Sequence, residues 1–108
     1  MNNDELNRLV CERVLGWRTA DAGGGQRWWF PPNGSSVPTP DFCNDWTAFG
    51  VLWEALVKIM HEVHLCRYED GVIEAMVLTE QGISQQVDPD PRRALALAAL
   101  KAYSVEVE

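Results

Sequence analysis

VHLCRYEDGVIEAMVLTEQGISQQV, Val63 to Val87, decides the fold. Val63, Leu65 and Arg67 alternate with His64, Cys66 and Tyr68, the two-residue period of a strand. Asp70-Gly71 separates that run from Val72 to Leu78, and an Asp-Gly pair readily takes the left-handed conformation of a hairpin turn. Gln81-Gly82 marks a second turn, after which Ile83 to Val87 supplies a third strand. Strands are therefore expected over about residues 63–69, 72–79 and 83–87. Strands joined by turns this tight are antiparallel, because a parallel pair needs a long crossover.

Helical patterns flank this unit. DWTAFGVLWEALVKIM, Asp45 to Met60, places Trp46, Phe49, Trp53, Leu56, Val57 and Met60 at steps of three and four. Leu52, Ala55 and Ile59 fill an adjoining face, leaving a polar strip at Thr47, Glu54 and Lys58. A helix so widely apolar, over about residues 45–61, is expected to be covered on more than one side and to be the core helix. Asn44 or Asp45 can cap its start. A first helix is expected over about residues 3–15, starting at Asn3 or Asp4, with the stripe Leu6, Leu9, Val10, Val14 and a stop at Gly16. Asp88-Pro89-Asp90-Pro91 ends the sheet and caps a last helix over about residues 90–103, striped by Leu95, Ala98, Ala99 and Ala102 with Leu97 and Leu100 beside them. Between the first two helices, about residues 16–43 show no sustained period. Gly23, Gly24 and Gly25, four prolines (Pro31, Pro32, Pro38, Pro40) and an Asn33-Gly34 turn read as a long loop, with room for a short strand from Gln26 to Phe30. The order predicts a single α+β domain, an antiparallel sheet of three or more strands layered with helices as an α-β-α sandwich.

The 108 residues suffice for a core without staples, and 46% apolar with 23% charged residues is ordinary for a soluble protein. No run approaches the ~20 apolar residues of a membrane span, and no leader precedes the first helix, so a cytoplasmic protein without membrane partners is expected. Cys11, Cys43 and Cys66 are odd in number and lack metal-ligand spacing, which predicts reduced, buried thiols. The net charge of −7 falls wholly on the second part of the chain, since residues 1–40 carry four arginines against four acids. Duplex nucleic acid is thereby disfavoured as a partner, while the neutral first part can still present a local site for a small anion.

Several motifs look catalytic and lack the spacing. HEVH, His61 to His64, is one residue short of the zinc-binding helix motif, which needs imidazoles four apart on one face. His61 is expected to end a helix and His64 to begin a strand, so no metal is predicted. The glycine triplet lacks the helix and the Lys-Ser/Thr pair of a phosphate loop, and reads as a flexible link. Ser35 and Ser36 have no activating base placed near them in sequence. No cofactor and no catalytic residue is predicted.

The informative feature is the density of aromatic rings and guanidinium groups around the long loop. Trp17-Arg18 leads in, Arg27-Trp28-Trp29-Phe30 follows the glycines, and Trp46 opens the next helix. Rings for stacking with arginines for charge are what a nucleotide-like anion needs, so these seven residues form the predicted ligand-binding set. Strand alternation puts Trp28 and Phe30 on one face and Trp29 on the other. The competing reading is that the aromatics anchor the loop on the core.

PDFCNDWTAFGVLWEAL, the upstream Gly16-Trp17 and the ending PRRALALAALKAYSVEV together resemble the phage ABA sandwich domain family. Its members pair a helix ending in Gly-Trp with a Pro-rich loop, an Asp-Trp helix with a downstream Trp-Glu (here Asp45-Trp46 and Trp53-Glu54), an alanine-leucine helix and a short acidic tail. Where the family pattern has Ser-Thr before Asp-Trp, this chain has Cys43-Asn44. The resemblance implies an α-β-α layered fold and a phage origin, hence a bacterial host cell, and it implies no activity. Two functions follow as expectations: a non-enzymatic binder sequestering a nucleotide-like signal of host immunity, or an interaction protein contacting a host or phage protein. Association of identical chains is compatible with both.

Overall fold

The computed structural model describes residues 1–24, 26–32 and 34–103. Gly25, the Asn33 half of the expected turn and the acidic tail lie outside the described residues. The expected hairpin unit forms as read. Strands β4 (Glu62–Arg67), β5 (Ile73–Thr79) and β6 (Gly82–Asp88) make an antiparallel sheet in that order, with Val63 opposite Val77 and Val77 opposite Ser84. Gly71 takes φ +86° in the first turn, and the Asp70 carboxylate accepts from the Val72 N–H at 3.1 Å.

The stretch expected as a long loop is instead a second antiparallel sheet, β1 (Arg18–Gly23), β2 (Gln26–Phe30) and β3 (Val37–Pro38). β2 is the short strand for which the sequence left room, but β1 is bulged between Asp21 and Gly23 and β3 has only two residues, so neither shows a readable two-residue period. Gly23 and Gly24, expected in a flexible link, make the β1–β2 connection at φ +85° and +61°, which side-chain-bearing residues adopt at a cost. Asp21 Oδ1 accepts from the Gly23 N–H at 2.9 Å and fastens the turn.

Helix α1 (Asn3–Leu9) runs on as a π-helical turn, Val10–Val14. Its cap is Asn2, one residue before the expected Asn3, with Oδ1 accepting from the Glu5 N–H at 2.8 Å. Gly16 ends it at φ +68°, and the Trp17 N–H reaches back to the Cys11 carbonyl at 3.0 Å. A left-handed glycine followed by a backbone bond returning into the last turn stops the helix and fixes where Trp17 leaves it. Asp45 caps α2 (Trp46–Ile59), and Asp90 caps α3 (Pro91–Ala102) with Pro91 in the first turn, as the sequence suggested.

The core helix is α3, not α2. Every residue from Ala94 to Leu100 is buried, whereas α2 buries only Ala48, Leu52 and Leu56. Trp46 (58%), Val57 (53%), Val51 and Ile59 stay exposed. The reason is size: the alanines of α3 let neighbours approach from all sides, so the sheet, α1 with its π-helical turn, and α2 can surround it. Ala75 and Val77 of β5 are fully buried and pack with α3, and Ser84 Oγ donates to the Ala98 carbonyl at 2.7 Å. Bulky α2 meets α3 along one line. Cys11 and Cys43 are buried as expected, but Cys66 is exposed, on the edge strand β4, where only Val63 is partly buried.

Candidate functional site

The seven predicted site residues do not form one pocket. Trp29 belongs to the core, 1% exposed, its indole N–H donating to Thr39 Oγ1 at 2.8 Å. Its strand neighbours Trp28 (38%) and Phe30 (44%) are exposed, which is the alternation expected along β2. Arg18 sits opposite Phe30 in the β1–β2 register, at the far end of the strand from Arg27. Trp46 lies at the start of α2, where the Arg92 guanidinium stacks 4.6 Å from its ring centroid and Phe49 meets it edge-on.

Arg27 and Trp28 do come together. They line a cleft of about 430 Å³ between β2 and α1, with Gln26, Pro38 and Thr39 on the sheet side and Asp4, Asn7, Arg8 and Asp41 opposite. One buried amide, that of Asn7, lines it. Asn7, 4% exposed, donates to Asp41 Oδ1 at 3.0 Å and accepts the Phe42 N–H at 3.0 Å, while Asn44 donates to both Asp41 oxygens. The Asp41 carboxylate is thereby fixed in orientation, and two guanidinium groups from different elements border the same space. A cleft of this size matches small-ligand sites, which span roughly 300–1,000 Å³.

Trp17 lines a second, mostly apolar cleft of about 420 Å³, with Leu15, Pro31 and Pro32 on one wall and Val51, Ala55 and Lys58 of α2 on the other. Sequence reasoning missed Arg8 and Arg92. Arg8 reads as an ordinary last-turn cation of α1, and its approach to β2 is a tertiary fact that no local spacing signals. Arg92 stands two residues after the Asp90 cap and is held by it through Nε at 3.1 Å and Nη2 at 3.0 Å, which aims its plane at Trp46.

Arg93 has a structural role. Arg93 ties Asp88 (3.2 Å), Asn3 Oδ1 (2.7 Å) and the Met1 carbonyl (2.7 Å), fastening the start of the chain to α3. His61 follows α2, and His64 pairs with Glu62 at 3.0 Å along β4, so the two imidazoles belong to different elements. Among the described residues no cluster of three or more His, Cys, Asp or Glu could hold a metal ion, and no helix is long and apolar enough to cross a membrane. Burial pushes the Cys11 thiol up to about 12 and the Cys43 thiol up to about 11.

Among the described residues, two antiparallel three-stranded sheets and three α-helices define a mixed α+β protein. No protein-family model matches the chain, and no curated protein matches it. A 2.0 Å crystal structure of a phage protein from Bacillus cereus is similar in fold, with a TM-score of 0.78 over 100% of this chain and 93% of that one, at 14% identity.

Proposed function

We propose that the protein is a non-enzymatic, phage-encoded binding protein, and that it sequesters a nucleotide-like anion in the Arg8–Arg27–Trp28 cleft. The observation that carries the reading is that Arg27 and Trp28, chosen on chemistry alone, share a cleft with a further guanidinium from α1. Arginines there bond phosphate oxygens, the Trp28 ring offers a stacking face, and the oriented Asp41 carboxylate accepts from a base N–H. The phage assignment draws on the fold likeness to a phage protein and on the resemblance to the phage ABA sandwich domain family. A phage in its host cell has use for a small protein that captures a nucleotide signal of host immunity without chemistry. The ion pairs described fasten helix ends and chain ends rather than poise a nucleophile, which supports a binder over a catalyst.

A thermal-shift screen with cyclic and linear nucleotides, followed by calorimetric titration, tests this. A ligand of the folded state raises the melting temperature by mass action. Arg27→Ala or Arg8→Ala should weaken it by about 1.5–3 kcal/mol, the range for a charged hydrogen bond, and leave the unliganded melting point unchanged. No response to any nucleotide, or equal binding by both variants, would refute the cleft as a nucleotide site. An interaction protein is the second reading, and the exposed apolar side of α2 favours it.

A further inference from the structure

The two walls of the Arg8–Arg27–Trp28 cleft differ in chemistry, and the difference selects among bases. On the sheet side, Trp28 lies opposite Pro38 in the β2–β3 register, and both line the cleft. Side chains stand roughly perpendicular to a sheet, so a planar ring stacked on the exposed Trp28 indole points its edge across the cleft at α1. There Asp4, Asn7 and Arg8, at steps of three and four, share one helical face. An ionised carboxylate only accepts, at about four lone-pair sites. Asp41 already accepts from Asn7 at 3.0 Å and from Asn44 at 3.2 and 3.1 Å. Asp4, exposed on the same cleft, makes no ion pair and no side-chain hydrogen bond among the described residues. It is the open acceptor of this wall, and the Arg8 guanidinium, one turn along, is the neighbouring donor.

We propose that the base this cleft takes is guanine, with Asp4 accepting from its N1–H and its N2 amino group and Arg8 donating to O6. The inference rests on the nucleotide reading above and names the base within it. Guanine alone among the four common bases carries two adjacent donor groups on its pairing edge, with an acceptor beside them. Adenine would set its N1 lone pair against the Asp4 carboxylate. Cytosine would set its N3 lone pair there, and uracil a carbonyl on either side of its single N–H. A buried or bordering acceptor left facing an acceptor is what makes such a site reject the wrong partner. Arg27, from β2, remains for the phosphate. The source is a free nucleotide, because the phosphates of a strand meet a chain of net charge −7.

Calorimetric titration with guanosine, inosine and adenosine 5′-monophosphates is the test. The guanosine nucleotide should bind tightest. The inosine nucleotide, which lacks the N2 amino group, should bind about tenfold more weakly, and the adenosine nucleotide at least about a hundredfold. Asp4→Asn places a donor beside an acceptor, the pattern that reads adenine. That variant should lose the guanine preference and gain affinity for the adenosine nucleotide, a gain that a merely unfolded variant cannot show. Equal binding of the three by the wild type, or a guanine preference that survives Asp4→Asn, would overturn the base assignment and leave the nucleotide cleft standing. Binding of none would overturn both. Tighter binding of an oligoguanylate than of the monophosphate would overturn the free nucleotide as the source.

Discussion

Trp28 and Trp29 are adjacent, identical in chemistry and opposite in consequence. Trp29 is the largest fully buried side chain, 1% exposed, and its indole N–H bonds Thr39 Oγ1 at 2.8 Å. Removing it to Ala deletes that donor and leaves a cavity, which for a buried Trp costs about 3–5 kcal/mol. Small domains are stable by only about 5–15 kcal/mol, and each kcal/mol moves Tm by roughly 4–8 °C at this size, so a fall of roughly 12–40 °C is expected. Trp29→Phe keeps most of the ring volume and loses the hydrogen bond, for about 1–2 kcal/mol. Trp28, 38% exposed on the other face of β2, should cost less than about 1 kcal/mol on truncation to Ala. Urea denaturation of the three variants gives the ordering directly. If Trp28→Ala costs as much as Trp29→Ala, or Trp29→Ala costs less than Trp29→Phe, the packing of β2 described above is wrong.

Two further outcomes follow from the ionisable groups. Asp90 is held below the usual carboxylate range mainly by the Arg92 side chain that donates to it, with burial opposing. A depressed folded value means its stabilisation is complete above the unfolded value of ~3.9 and is lost as pH falls through the folded one. Asp90→Ala should therefore cost about 1–2 kcal/mol at neutral pH, as a lost helix cap, and the difference from the wild type in urea midpoint should close as the pH drops below ~4. Cys11 and Cys43 are buried with raised thiol values, so Cys66 alone should react with a thiol reagent at pH ~8, where thiolate is the reacting form. All three should react in denaturant, and rapid labelling of a second thiol in the native protein would contradict the packing of the π-helical turn after α1 or of the segment before α2.

The sequence makes the β4–β6 sheet legible because each of its turns carries a glycine where a left-handed residue is required, and each strand is long enough to show its period. Of the β1–β3 sheet only β2 is legible, as the short strand from Gln26 to Phe30: β3 has two residues, and the bulge beside Gly23 breaks the alternation of β1. For the site, chemistry picks residue types and cannot place them. Alternation along β2 separates Trp28 from Trp29, yet which face turns inward depends on Thr39 and the core, and Arg8 reaches the cleft only because α1 faces β2 across it.

The exchange of roles between α2 and α3 has a more general cause. Periodicity counts apolar positions and is blind to their size. The α3 stripe is mostly alanine, which scores weakly and yet suits a helix surrounded on every side, since small side chains let the sheet and two helices close on it together. The α2 stripe scores strongly with Trp46, Phe49, Trp53 and Val57, and bulk of that kind holds neighbours at a distance, so one chain meets it along a single line. The expectation that α2 is covered on more than one side therefore fails at Trp46 and Val57, which stay exposed because the other elements close on α3 and not on α2.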